Sequence, residues 1–199
     1  MGVNTWTLGL DSWIIQDGNY GEFSTGQVAE LAVEYWAEAG LGHSDAPAAR
    51  RSEALLDATY DIEADVVFNN DRVTVIDLGL SAYCETQGAG EGAFPVGTSV
   101  HGQVTLGVDP FFYFERLSKV PELPPLVYTW MITRIRRQTA PFKQADAAGK
   151  WLVGDETQWG WAEISRTDAW HDDDGRASYL LDCELQPVAP KRTSSTAAH

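Results

Sequence analysis

Cysteine, histidine and long apolar runs are scarce in this chain. Two cysteines among 199 residues are too few for a disulfide scaffold, so Cys84 and Cys183 are predicted to be buried thiols, with one bridge between them as the alternative. No stretch reaches the roughly 18 apolar residues of a transmembrane helix. The first residues also lack the basic start and apolar stretch of a signal peptide. We therefore expect a cytoplasmic protein without a membrane partner.

Positive charge is also scarce, because 14 Lys and Arg residues face 29 Asp and Glu residues and leave a net charge of −15. The imbalance is uneven: residues 116–150 carry +5 and the rest of the chain carries −20. A surface of this charge repels phosphate backbones and anionic membranes, which argues against a nucleic-acid partner. It favours a basic protein partner.

Glycine, by contrast, recurs in a pattern that indicates an internal repeat. Residues 8–33 and 78–104 align when one extra residue is allowed in the second loop, and Leu-Gly-Leu opens both copies. The coincident pairs are Leu8/Leu78, Gly9/Gly79, Leu10/Leu80, Gly18/Gly88, Phe23/Phe94, Gly26/Gly97 and Val33/Val104. Two copies are too few for a solenoid, so we predict one strand-loop-strand unit used twice in one domain. Each internal glycine should mark a bend or the close approach of another backbone.

The second copy of the repeat decides how the first should fold. Residues 27–36 alone fit both a helical stripe and strand alternation, whereas the matching run of the second copy contains a central glycine and β-branched residues. We therefore predict strands in both copies. Residues 59–84 alternate around an Asn-Asn-Asp turn and predict a hairpin, and residues 128–135 predict a further strand.

The remaining segments give weaker patterns. Residues 161–168 and 177–185 flank a His-Asp-Asp-Asp-Gly sequence, which predicts a second hairpin. Residues 44–58 are rich in Ala, Arg and Leu and are the best helix candidate, with an exposed insertion as the alternative. Residues 140–158 are predicted to form a long loop.

Eight or so short strands with little helix indicate an all-β fold. With 44% hydrophobic residues, the chain can bury the core of a single β-rich domain over residues 1–190, followed by a disordered C-terminal tail at 191–199. We expect an antiparallel barrel, an OB-like barrel being one option, or a sandwich. The glycines in the duplicated unit favour the barrel, since closing a sheet requires bent strands.

The C-terminal third contains the aromatic candidates for a binding site. Trp151, Trp159, Trp161 and Trp170 fall within 20 residues. Their flat faces could stack on a sugar or another small organic ligand, or anchor a protein partner. The alternative is that they are large core residues. Asp172, Asp173 and Asp174 follow closely, and we expect a solvated acidic turn there, because the acids lack the spacing of a calcium loop. As part of the acidic surface, these three residues are also candidate binding residues for a basic protein partner.

Two pairs of residues could support catalysis. Cys84 and His101 would form an activated thiol if they were cross-strand neighbours, but no motif for a nucleophile or oxyanion hole surrounds them. Asp11 and Asp109 follow Leu-Gly-Leu and Leu-Gly-Val and could act as general acid and base, although an Asp before Ser or Pro more commonly satisfies its own turn. We predict no catalytic residue, cofactor or metal site.

The basic stretch Arg134, Arg136 and Arg137 could clamp a phosphate or carboxylate, although such groups more often pair with acidic neighbours. Three functions follow from these patterns. The first is a non-enzymatic interaction protein, of inhibitor, immunity or accessory type, that binds a basic protein. The second is a barrel that binds a small organic ligand or glycan through tryptophans. The third is a hydrolase using one of the two catalytic pairs.

Overall fold

The computed structural model describes residues 5–44, 50–85, 94–139 and 160–192, together with the backbone of 143–144 and 151–152. Strands account for 52% of the structure. Their bounds are β1 (Thr5–Asp11), β2 (Val28–Leu31), β3 (Val33–Trp36), β4 (Gly42–Ser44), β5 (Arg51–Ala54), β6 (Thr59–Asn69), β7 (Val73–Asp77), β8 (Ser81–Glu85), β9 (Ser99–Val108), β10 (Tyr128–Gln138), β11 (Lys143–Gln144), β12 (Trp151–Leu152), β13 (Trp161–Ile164) and β14 (Ser178–Leu185). Within the described residues, helix is limited to short segments, namely α1 (Ser12–Gln16), α2 (Phe112–Glu115) and 3-10 turns at Leu117–Lys119 and Asp172–Gly175.

Five strands close into a barrel in the order β9, β3, β8, β7, β6 and back to β9. Neighbouring strands are antiparallel except β3 and β8, which are parallel. Closure pairs the backbone hydrogen-bonding groups all around the sheet, so the barrel needs no exposed edge. The predicted all-β fold and the barrel option are therefore confirmed.

A second group of strands continues the sheet away from the barrel. β1, β14, β10 and β13 lie side by side, and β2 pairs with β10. This group joins the barrel where β1 meets β9 in parallel, with Gly9 opposite Gly107. A Cβ atom on Gly9 would lie 3.5 Å from the carbonyl oxygen of Leu106, so two backbones pass close together at this point.

The core follows from the alternation of side chains along the strands. In β6 every second residue from Tyr60 to Val66 is buried, and Leu8 and Leu10 of β1 join the same cluster. A second cluster forms where residues 113–127 cover Val73 and Val75 of β7. Because β7 is covered on both faces, four of its five residues are buried.

The repeat is only partly reflected in the structure. Residues 28–36 form β2 and β3, so the prediction of strands over a helix is confirmed. The two Leu-Gly-Leu triplets differ, however, because the first lies within β1 whereas the second forms the bend between β7 and β8. Gly79 has a φ of +109° at that bend, whereas Gly9 lies at the crossing of two backbones. Glycine therefore serves different purposes at the two matching positions.

The hairpin predicted for residues 59–84 and the strand predicted for 128–135 are confirmed by β6, β7 and β10. The hairpin predicted around residues 169–175 is wrong, because β10 lies between β13 and β14 and pairs with both. At 11 residues, β10 is long enough to pair with β14 along one edge and with β2 and then β13 along the other. The local turn therefore does not determine the pairing.

The helix predicted for residues 44–58 is also wrong. β4 ends at Ser44, residues 45–49 lie outside the described residues, and Arg51–Ala54 forms β5 against β6. An ion pair between Arg51 and Asp61, at 2.8 Å, supports this pairing. Tertiary partners thus override the helix propensity of Ala and Leu.

Of the predicted tail, only Lys191 and Arg192 are among the described residues. Lys191 pairs through its backbone with Val127 and forms an ion pair with Glu30, and Arg192 donates hydrogen bonds to the carbonyl oxygens of Ser118 and Leu123. Residues 193–199, like most of the loop predicted at 140–158, lie outside the described residues. In the part of the chain that is described, no helix has the length and apolar character needed to cross a membrane.

We expect Gly79→Val to lower the free energy of unfolding by about 1 to 3 kcal/mol, because a β-branched residue is strained at a φ of +109°. Gly9→Ala is the matched control. Its new Cβ would make an ordinary 3.5 Å contact, so a loss below about 1 kcal/mol is expected. Urea unfolding of the three proteins measures both values. Equal stability of wild type and Gly79→Val would contradict the strained bend.

Candidate functional site

A cavity of about 300 Å³ opens where β1 crosses β9. Its walls combine three tryptophans with three carboxylates, and we call it the tryptophan cavity. These residues are Trp13, Trp36, Trp161, Asp11, Glu34 and Asp57. They come from five separate parts of the fold, namely the end of β1, α1, β3, the turn before β6, and β13. Residues of β9 and β14 complete the wall.

Strand alternation places the central residues of the cavity. In β3, Val33 and Tyr35 are buried in the core, so Glu34 and Trp36 lie on the opposite face. Glu34 stands opposite Gly107 of β9 on one side and Tyr83 of β8 on the other. A charged residue is therefore held at the junction of three strands.

Glycine makes room for the aromatic wall. A Cβ atom on Gly107 would lie 2.9 Å from the Trp36 ring, so the indole rests directly on the bare backbone of β9. Trp36 nevertheless remains 42% exposed, and Trp13 on α1 remains 47% exposed. Two large aromatic faces thus stay accessible to a ligand.

Several carboxylates surround Glu34. Burial, together with the charges of Asp109, Glu85 and Asp11, raises the pKa of Glu34 to about 7. Burial also raises the pKa of Asp109 to about 6, although hydrogen bonds from the Tyr83 hydroxyl and the Tyr113 backbone N–H oppose that shift. Near neutral pH the cavity therefore carries a carboxyl group that is only partly ionised.

The region behind Glu34 contains polar atoms that lack partners. In the described part of the chain, neither the second carboxylate oxygen of Asp109 nor the Tyr20 hydroxyl has a hydrogen-bond partner. Burial and the charges of Asp109 and Glu34 raise the pKa of Tyr20. Next to Asp109, Phe111 has a φ of +76°, which is strained for an aromatic residue. Strain and unpaired polar groups of this kind concentrate at functional sites.

The tryptophans singled out from the sequence do not form one cluster in the described residues. Trp161 lines the tryptophan cavity, whereas Trp170 is 63% exposed beside the 3-10 turn at Asp172–Gly175. The side chain of Trp151 and all of Trp159 lie outside the described residues. Trp13 and Trp36, which are distant from Trp161 in the sequence, line the cavity with it. Sequence reasoning missed them, although the strand interpretation of residues 28–36 already placed Glu34 and Trp36 on one face.

The acidic turn has a different role from the one expected. The Asp172 side chain is mostly buried and forms an ion pair with Arg137, and it accepts a 2.9 Å hydrogen bond from the Tyr179 hydroxyl. Asp174 is exposed, and both Asp173 and Asp174 have positive φ values. Asp172 therefore holds the turn against β10, and the turn is only partly solvated.

The basic stretch forms ion pairs with acidic neighbours, as the alternative interpretation predicted. Arg134 and Arg136 both contact Asp182, at 2.6 Å and 2.9 Å. Arg137 binds Asp172. These pairs join β10 to β14 and to the acidic turn, and they leave less of the arginine charge for a ligand.

The two candidate catalytic pairs are not assembled. Cys84 lies in β8 and His101 in β9, and His101 stands opposite Gly42 and Glu63. Both cysteines are free, and burial raises the pKa of the Cys84 thiol. Asp11 is exposed and accepts a 2.7 Å hydrogen bond from Ser178, whereas Asp109 is fully buried. Asp11 lines the tryptophan cavity and Asp109 does not, although the charges of both raise the pKa of Glu34.

No group of three or more His, Cys, Asp and Glu side chains in the described ranges is arranged to hold a metal ion. No protein-family model, curated protein or solved structure matches the chain.

The pKa of Glu34 lies above its ordinary value of 4.5, so the native state holds a proton that the unfolded chain has already lost. Stability should therefore fall as pH rises from about 4.5 to about 7. Glu34→Gln removes this loss. We expect the variant to gain about 1 to 3 kcal/mol over wild type between about pH 5 and about pH 8 in urea unfolding.

The exposed Glu53→Gln is the matched control, and its pH profile should follow that of wild type. A Glu34→Gln profile parallel to that of wild type would show that Glu34 ionises normally.

Alkylation of Cys84 in the folded protein is expected to be slow at neutral pH, because the half-buried thiol is hard to reach and its pKa is raised. Labelling with iodoacetamide, followed by mass spectrometry, measures the rate, and Cys84→Ser identifies the labelled site. Fast labelling that His101→Ala abolishes would contradict the separation of the two residues.

Proposed function

We propose that this protein is a non-enzymatic binding protein and that its tryptophan cavity holds a positively charged group of a basic protein partner. The observation that carries the proposal is the combination of Trp13, Trp36 and Trp161 with Asp11, Glu34 and Asp57 around one cavity. Indole faces attract cations through the ring quadrupole, and carboxylates attract them directly.

The electrostatics of the cavity support a cationic ligand. Glu34 is partly protonated near neutral pH because burial and neighbouring carboxylates disfavour its charge. A bound ammonium or guanidinium group would offset this repulsion and allow Glu34 to ionise fully. The bound cation would remove the repulsion between Glu34 and its neighbouring carboxylates, and this would add to the free energy of binding.

The charge of the whole molecule favours a protein over a small monovalent ion as the source of that group. A net charge of −15 produces a long-range field that speeds association with a basic surface. The field is screened by salt, so association should slow as ionic strength rises. The two free thiols fit a reducing compartment, and we place the interaction in the cytoplasm.

A small organic ligand is the second candidate. The volume of about 300 Å³ lies at the lower end of the range of small-molecule sites, and two indoles remain accessible at the cavity. A neutral sugar could stack on these faces without using the carboxylates as charges. The two candidates differ in whether the ligand must be charged.

The proposal is tested with a pair of probes that differ only in charge, namely N-acetyl-arginine methylamide and N-acetyl-citrulline methylamide. Tryptophan fluorescence reports binding. We expect saturable binding of the arginine probe, weakened by added salt, and little binding of the citrulline probe. Trp36→Ala should lower the affinity for the arginine probe by about threefold to tenfold, since a cation–π contact contributes on the order of 1 kcal/mol.

Trp170→Ala is the matched control, because Trp170 is exposed but does not line the cavity. Its affinity for the arginine probe should equal that of wild type. Equal binding of both probes would favour the neutral small ligand. Loss of binding in Trp170→Ala alone would place the site on a different face.

A further inference from the structure

A second cavity, of about 340 Å³, lies apart from the first and shares none of its lining residues. It opens between the turn that joins β6 to β7 and the chain that follows α2. Three cationic side chains line it, and we call it the basic cleft. They are Arg72, Arg116 and Lys119, accompanied by Asn70 and Asp71.

Local structure holds the two sides of the basic cleft in place. The Asn70 side-chain oxygen accepts hydrogen bonds from the backbone N–H groups of Arg72 and Val73, both at 2.9 Å. On the other side, the N–H of Val120 donates to the carbonyl of Leu117 at 2.8 Å and closes the 3-10 turn that carries Lys119. Val73, Leu117 and Val120 belong to the same buried cluster, so both sides rest on one packed support.

The three cations differ in whether they have an ion-pair partner. Arg116 contacts Glu85 at 3.2 Å, and its guanidinium lies over the Phe112 ring at 4.1 Å. Arg72 and Lys119 form no side-chain ion pair or hydrogen bond within the ranges that the structure describes. This is unexpected in a chain with 29 acidic residues and 14 basic ones, where most cations could find an acidic neighbour.

We propose that the basic cleft binds a doubly charged phosphate group, as found in inorganic phosphate or in a small phosphate monoester. Arginine offers a planar fork of donors that matches phosphate oxygens, and lysine adds a compact charge. With Asn70 Oδ1 already engaged by the turn, the amide N–H groups of Asn70 are available as further donors.

The chemistry of the surroundings favours a single small phosphate over a polyanion. A net charge of −15 repels nucleic acid, whereas one phosphate group experiences mainly the local cations. Val120 and Pro121 form an apolar wall that could contact the organic part of a monoester. Asp71 also lines the cleft and should weaken binding of any anion, so the affinity is expected to be modest.

The test is an NMR titration of the ¹⁵N-labelled full chain with inorganic phosphate, phenyl phosphate and dimethyl phosphate at constant ionic strength. We expect saturable shifts of the amide signals at residues 70–73 and 116–120 with the first two compounds and none with dimethyl phosphate, which carries a single charge. Tighter binding of phenyl phosphate than of inorganic phosphate would assign the ligand as an ester. The reverse order would assign it as free phosphate.

The double variant Arg72→Ala/Lys119→Ala should bind inorganic phosphate and phenyl phosphate about tenfold more weakly, since it loses two charge-assisted contacts from solvent-exposed residues. Arg50→Ala/Arg51→Ala removes the same charge outside the basic cleft and should leave the affinity within about twofold of wild type. All four substituted residues are exposed, but Arg50 and Arg51 form ion pairs with Asp65, Asp77 and Asp61. The spectrum of each double variant away from the substituted residues is therefore compared first with that of wild type. Equal affinity of the two double variants, or equal shifts with dimethyl phosphate, would overturn the proposal.

Discussion

The close crossing of β1 and β9 at Gly9 and Gly107 is the constraint on which the rest of the structure depends. At this point the barrel is joined to the group of strands formed by β1, β14, β10, β13 and β2. A Cβ atom on Gly107 would lie 2.9 Å from the Trp36 ring, so only glycine at this position lets the indole lie against β9. At Gly9 a Cβ atom would make an ordinary 3.5 Å contact with the backbone of Leu106. The same crossing therefore joins the two parts of the sheet and forms the floor of the tryptophan cavity.

Residues 28–36 show how one short run serves both parts of the sheet. β2 pairs with β10, and β3 pairs with β9. The change of partner occurs at Ala32, which is fully buried. The carbonyl oxygen of Ala32 accepts a hydrogen bond from the backbone N–H of Asp109. This arrangement places Glu34 near the buried Asp109. Its raised pKa is thus a consequence of how the chain passes from one group of strands to the other.

Charge is organised differently around Asp182, in the tryptophan cavity and in the basic cleft. Asp182 gathers Arg134, Arg136 and Thr7, so the basic stretch is largely used in holding β10, β14 and β1 together. Neighbouring carboxylates raise the pKa of Glu34, and Arg72 and Lys119 have no ion pair in the described residues. The ionisation of the buried Glu34 costs stability, whereas the exposed cations lose little by being unpaired. Both are places where a ligand of opposite charge can bind favourably.

Alternation and turn residues in the sequence were enough to determine the all-β class, the β6–β7 hairpin and the strands at 28–36, because these features depend on neighbours in the chain. The partners of β10, the strand at Arg51–Ala54 and the assembly of Trp13, Trp36 and Trp161 depended on the tertiary structure. The physical reason is that side-chain periodicity states which face of a strand is buried. It carries no information about which distant strand will cover that face or which side chains will meet beside it.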